Sequence, residues 1–171
     1  MNAPTELKPR RLLLLRHAKS SWSQPGTADF DRPLNDRGRS AAVQMGNKLR
    51  SEAVSVDLIF ASTAQRVCET LDGLLPAWGW VGSVIWEKQL YLATPERLMT
   101  QLTALDADWS TVMVVGHNPG LSELAMHLAK TSFDMPTAAI VTLESPLMDW
   151  PAALRSGKWE VANYWKPKVL A

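Results

Sequence analysis

The chain is predicted to be an α/β protein, a three-layer sandwich in which a mostly parallel central sheet carries helices on both faces. Short apolar runs recur along it, at 11–15, 56–62 and 111–116. Segments with helical spacing of apolar residues separate them, which is the pattern of repeated βαβ units. Polar residues gather where the runs end, and such strand-to-helix junctions form the ligand-binding edge of open α/β sheets.

Taken in order, residues 11–15 read as the first strand and the Ser-, Pro-, Gly- and Asp-rich stretch 18–37 as a long loop. Segment 38–52 reads as a helix, with Ala42, Met45 and Leu49 at core-facing spacing. VDLIFAS, 56–62, is a second strand, followed by a helix over 63–75 that Ser62 or Thr63 caps and Pro76 ends. SVIW, 83–86, is a weaker strand, and 95–105 a helix with Pro95 in its first turn. TVMVVG, 111–116, is the clearest strand; a helix over 119–130 follows, with Asn118 as N-cap and Pro119 at the first helical position. The tail holds two more strands, AAIVTLE and KWEVANYW, antiparallel or at an edge and separated by a Pro-containing loop.

At 171 residues the chain fits one domain. The expected division is a flexible tail over 1–10 and a single domain over 11–171. Eighteen basic against seventeen acidic residues leave a formal charge of +1, which argues against nucleic acid or an anionic membrane as partner. MNAPTELKPR has no apolar signal core and the leucine run 12–15 is too short to span a bilayer, so a soluble, cytoplasmic protein is expected. The single cysteine, Cys68, excludes an internal disulfide and any multi-cysteine metal site. It reads as a buried helix residue.

Four polar residues fall at junctions on one end of the sheet: Arg16 and His17 after the first strand, Arg66 in the first turn of the helix after the second, and His117 at the end of the clearest strand. An arginine is a permanent cation whose fork matches phosphate oxygens; a neutral histidine has a nitrogen that can attack or take a proton. A cation in the first turn of a helix opposes the dipole, so Arg66 calls for something negative nearby. His117 precedes a helix N-terminus, itself an anion site. Together these groups would surround a phosphate. Singly each has a plainer reading: an Arg-His dipeptide arises by chance, Arg66 could be a solvated helix arginine, and His117 a capping or core histidine. His127 lies mid-helix without a partner four residues away and reads as structural. No HExxH-type spacing links the three histidines, so no metal or cofactor is expected. The eight tryptophans lack the basic stripe of a nucleic-acid stacking surface.

LLLLRHAKSSW at 12–22 resembles the opening motif of the histidine phosphatase superfamily, with alanine where many relatives carry glycine after the histidine. DFDRPLNDRGRSAA at 29–42, STAQRVCET at 62–70, LYLATPERL at 90–98 and VVGHNPGL at 114–121 are similar to further motifs in that family's order. Within the superfamily the chain resembles the small SixA-like phosphohistidine phosphatases. The resemblance implies a phosphoglycerate mutase-like fold, His17 as the nucleophile that becomes phosphorylated, and Arg16, Arg66 and His117 as the phosphate pocket.

The residue types suit that chemistry. His17 must be neutral with one free nitrogen, which a bond from its other N–H to a backbone carbonyl would secure. Two arginines and a second histidine can neutralise the phosphoryl oxygens in place of a metal. For the proton donor to the leaving group the candidates are Glu87, at the end of a strand, and Glu96, in a first helical turn where a plain surface carboxylate is the simpler reading. Lys19, Ser20 and Arg32, in the long loop, are expected at the pocket rim or else merely solvated. A P–N bond needs an acid less than a P–O bond does, because imidazole leaves more easily than alkoxide. The expected substrate is therefore phosphohistidine on another protein, with inorganic phosphate as product. A small-molecule phosphatase or mutase of the same superfamily and a non-catalytic phosphate-binding module are the alternatives.

Overall fold

Leu12, Leu13, Leu14 and Leu15 are all wholly buried, which requires a strand covered on both faces. A computed structural model of the chain, describing residues 8–168, shows how they are covered. The elements are β1 (Arg10–Arg16), α1 (Asp36–Ser51), β2 (Leu58–Ser62), α2 (Gln65–Trp78), β3 (Ser83–Glu87), α3 (Pro95–Thr103), β4 (Thr111–Gly116), α4 (Gly120–Ala129), β5 (Ile140–Ser145), α5 (Trp150–Ser156) and β6 (Glu160–Trp165). Leu13 and Leu15 pack with Ala42, Met45 and Leu49 of α1 and Val67, Leu71 and Leu74 of α2. Leu12 and Leu14 pack with Leu98 and Leu102 of α3, Leu121 and Leu124 of α4, and Ala153 and Leu154 of α5. Each leucine so buried contributes about 2 kcal/mol. This is the expected three-layer sandwich. Among the described residues no helix is long and apolar enough to cross a membrane.

The sheet order is β3-β2-β4-β1-β5-β6. β1 to β4 run parallel, whereas β5 is antiparallel to β1 and β6 to β5, so the mostly parallel sheet ends in a reversed pair. β3, the weakly signalled strand, lies at one edge, and β6 at the other.

Several boundaries differ from those expected, each for a local reason. Arg10, counted with the tail, opens β1; it is 1% exposed, its guanidinium donating to the carbonyls of Ala107, Trp109 and Met148 and lying over the Trp150 ring. Residues 1–7 of that tail lie outside the described residues. Pro76 does not end α2, which continues to Trp78 and stops at Gly79 in the left-handed conformation. Ser62 and Thr63 do not cap α2; its N-cap is Ala64, with no side-chain cap bond. α1 starts earlier, at Asp36, because Asn35 caps it through Gly38 N–H. Pro119 is the N-cap of α4 rather than its first residue, and the Asn118–Pro119 bond is cis. The loop expected between the last two strands contains α5, capped by Asp149 with Pro151 in its first turn.

Candidate active site

The parallel register of β1 and β4 pairs Arg16 with Gly116, so the next residue on each strand is a histidine at the same sheet edge. The His17 amide donates to the Gly116 carbonyl at 3.0 Å, which carries the pairing one step further. The two imidazoles lie 5.2 Å apart, centroid to centroid, and are 7% and 3% exposed. A histidine pair at the carboxyl end of adjacent central strands thus follows from register alone.

His17 Nδ1 is 2.7 Å from the carbonyl oxygen of Ala18. A carbonyl only accepts, so Nδ1 carries the hydrogen and Nε2 keeps its lone pair. Arg66 Nε donates to that Nε2 at 3.3 Å. Burial first, and then the positive charges of Arg66, Arg16 and Arg32, push the His17 pKa from 6.5 down to about 4, against the opposing pull of the Ala18 carbonyl. His117 is pushed down to about 3, by burial and then by His17 and Arg66. Both rings are therefore neutral at pH 7. His117 Nε2 lies 2.8 Å from Ser62 Oγ, while its Nδ1 is buried and has no partner among the described residues.

Arg16 anchors its guanidinium by Nη1 on the Met135 carbonyl at 2.9 Å, and its Nε is buried without a partner among the described residues. Burial, ahead of the neighbouring Arg66, lowers its pKa, with Asp134 opposing. Unpartnered buried donors are costly, and an oxyanion would satisfy both Arg16 Nε and a protonated His117 Nδ1.

The loop before α1 adds what the sequence reading missed. A 3-10 turn at Asp29–Asp31 brings Asp29 onto Arg66: its carbonyl accepts from Nη1 at 2.5 Å and its Oδ2 from Nη2 at 3.0 Å. Oδ2 also accepts from the Tyr91 hydroxyl at 2.6 Å, and Oδ1 from Arg32 Nη1 at 3.0 Å. These bonds, Tyr91's foremost, hold the Asp29 carboxyl far below the usual carboxylate range and so ionised. Tyr91 follows a second 3-10 turn, and its ring meets His117 edge-on at 5.4 Å. Ser62, Asp29 and Tyr91 each lie within or beside a motif quoted above, but no local periodicity marks them as pocket residues. The one available signal was Arg66 itself, a cation in the first turn of a helix that calls for something negative nearby.

The other expected residues divide. Arg32 is buried behind Asp29, donating also to Ser20 Oγ at 2.5 Å and to the Ser21 carbonyl at 3.1 Å, with its guanidinium 3.2 Å from the centre of the exposed Trp22 ring. Arg32 and Ser20 therefore back the pocket. Lys19 is exposed and lines a separate groove with Arg37, Asp134 and Lys166. Glu87 pairs in register with Ser62 across β2 and β3, but its carboxylate caps the following turn, accepting from Gln89 N–H at 2.9 Å. Glu96 lies in the first turn of α3, where it and Thr94 bond locally. Among the described residues no cluster of three or more His, Cys, Asp or Glu is arranged to hold a metal ion.

Residues 12–91 match the family model of the histidine phosphatase superfamily, branch 1. An uncharacterised chloroplastic protein of Arabidopsis thaliana is 31% identical over 96% of this chain and 81% of its own length. The candidate phosphohistidine phosphatase SixA of Agrobacterium tumefaciens superposes with a TM-score of 0.78 at 27% identity, covering 93% of this chain and 99% of that one. A mycobacterial glucosyl-3-phosphoglycerate phosphatase shares the fold alone, with a TM-score of 0.66 at 18% identity over 94% of this chain and all of that one. The chain therefore belongs to branch 1 of the histidine phosphatase superfamily, as a phosphatase-class member with the phosphoglycerate mutase-like, SixA-like fold.

Proposed function

We propose that the protein hydrolyses phosphohistidine in other proteins, without a metal and in the cytoplasm, through a phosphohistidine intermediate on His17. The free Nε2 of His17 attacks phosphorus as the P–N bond to the substrate imidazole breaks. Arg16, Arg66 and His117 take the phosphoryl oxygens, since transfer depends on positioning and charge neutralisation. Water then attacks phospho-His17, releasing inorganic phosphate and the free ring.

The observation that favours phosphohistidine over a phosphate ester is the state of Asp29. It is the carboxylate in contact with the pocket arginine, and three donors hold it ionised. It is therefore a poor acid for an alkoxide, which must take its proton at the breaking bond; the imidazole of phosphohistidine leaves as a neutral ring once its other nitrogen carries a proton, which solvent supplies near neutral pH. Glu87 is occupied at its own turn. The SixA likeness points the same way.

The test compares phosphate release from a phosphohistidine peptide, a phosphoserine peptide, sugar phosphates and an aryl phosphate, with and without EDTA. Preference for phosphohistidine, unchanged by EDTA, is expected. Preference for sugar phosphates would establish the small-molecule reading instead. Brief exposure to 32P-labelled phosphohistidine peptide, followed by quenching, is expected to leave an acid-labile label on His17. Binding of phosphate with neither turnover nor label would show a non-catalytic module.

A further inference from the structure

We infer that Ser62 is a positioning residue: its hydroxyl fixes the tautomer and orientation of His117, so that His117 offers an N–H to the phosphoryl group while His17 offers a lone pair. The inference rests on the reading of His17 as the phosphoryl acceptor, but on observations made at the other ring.

Ser62 closes β2 and is fully buried. Its Oγ accepts the Ala64 amide at 3.3 Å and lies 2.8 Å from His117 Nε2. A hydroxyl has one hydrogen to give. Were Nε2 the protonated nitrogen, Ser62 Oγ would accept from both neighbours and its own hydrogen would have no acceptor among its described partners, in a place without solvent. The satisfied arrangement has Ser62 donating to Nε2. The hydrogen of the neutral His117 ring then sits on Nδ1, the atom left buried and unpartnered. Burial and the cations around it keep that ring neutral.

The adjacent His17 has the same tautomer but the opposite presentation. Its Nδ1–H is consumed by the Ala18 carbonyl, so the nitrogen left over is the bare Nε2. At His117 the bare Nε2 is consumed by Ser62, so what is left over is Nδ1–H. Two chemically identical side chains, 5.2 Å apart, thus become a nucleophile and a hydrogen-bond donor because of what each is tied to. The edge-on Tyr91 ring, 5.4 Å from His117, closes another side of the imidazole and limits its rotation.

The experiment is nitrogen-15 NMR of histidine-labelled protein at pH 7, for the wild type and for Ser62→Ala and Ser62→Thr, with kcat and KM measured on an aryl phosphate. His117 is expected as the Nδ1–H tautomer in the wild type, as a mixture or the Nε2–H tautomer in Ser62→Ala, and as Nδ1–H again in Ser62→Thr. In Ser62→Ala kcat should fall roughly tenfold to a hundredfold with KM little changed, and Ser62→Thr should restore most of it. A wild-type Nε2–H tautomer, or Ser62→Ala with unchanged spectrum and kcat, would overturn the inference. If Ser62→Ala does not fold, the wild-type and Ser62→Thr spectra still decide. The spectra need no turnover, so a protein that hydrolyses no phosphate refutes the proposed function while the tautomer stands or falls separately.

Discussion

Asp29 holds both terminal nitrogens of Arg66, one through its carbonyl at 2.5 Å and one through its carboxylate at 3.0 Å, leaving Arg66 Nε directed at His17 Nε2. A guanidinium has five N–H donors, and here one from each terminal nitrogen is tied to a residue 37 positions upstream, leaving the second hydrogen of each for a phosphoryl group. The cation is thereby aimed before any phosphate arrives, which is preorganisation for charge that develops in the transition state. Asp29→Asn keeps the shape but removes the anion and the acceptor strength. The expected result is a fall in kcat of about tenfold to a hundredfold, since a small misplacement of a catalytic group has that scale of effect. Inhibition by inorganic phosphate should not weaken, because a competing carboxylate has gone. Steady-state kinetics with phosphate as inhibitor check this, and a wild-type kcat would count against the assigned role.

The same pair shows where the sequence stops being readable. Leu12 to Leu15 sit on one strand and announce a two-faced core locally, and Arg16, His17, Arg66 and His117 could be placed because each directly follows or begins an element whose period is visible. Asp29 and Tyr91 belong to 3-10 turns with no period, and they reach Arg66 and His117 only through the folded path of loops. α5 was hidden because its seven residues begin with Trp150 and Pro151, too short a span for periodicity to emerge. Pro76 misled because a proline three residues from a helix end disturbs few bonds, whereas the actual stop is the left-handed Gly79. Lys19 follows His17 closely in sequence, yet turns to a different groove.

Replacing the nucleophile separates chemistry from fold. His17→Ala should reduce phosphate release by on the order of ten thousandfold or more, since no nearby group offers an equivalent unprotonated nitrogen. The protein should remain folded, because the strand that carries His17 is held by its leucines and its pairing with β4 and β5. Circular dichroism and a thermal melt, run beside the assay, decide between loss of chemistry and loss of structure. A folded variant retaining substantial turnover would remove His17 from its role.

Acid should weaken the fold through the same histidines. Both His17, lowered to about 4, and His117, lowered to about 3, bind protons in the unfolded chain near pH 6.5 but not in the folded one. Unfolded chains therefore gain protons as pH falls from about 6.5 toward 4, and stability falls with it. At pH 5 the loss relative to pH 7.5 should be roughly 2 kcal/mol for each ring. Asp29, whose folded pKa is also depressed, adds a loss that begins only near its ordinary value of 3.8. Urea midpoints at pH 7.5 and 5 measure this, and His117→Gln should shrink the difference. An identical midpoint at the two pH values would contradict the buried, neutral pair.

Gly120 opens α4 against the segment that carries Tyr91. A Cβ built there would lie 2.0 Å from the Ala93 carbonyl oxygen, far inside contact distance, and that atom is backbone. In an unconstrained helix Gly→Ala stabilises by about 1 kcal/mol. Here the clash must push residues 91–93 away from α4, and overpacking of this kind costs about 1–3 kcal/mol. The displacement also acts on function, because the Tyr91 hydroxyl holds Asp29 and the Tyr91 ring abuts His117. Gly120→Ala is therefore expected to lower Tm by roughly 2–6 °C and to lower kcat as well. Thermal melting and kinetics on the same sample test the pair of effects. A variant that melts higher than the wild type at full activity would show that the 91–93 segment yields freely, and that Tyr91 does not depend on the close approach of α4.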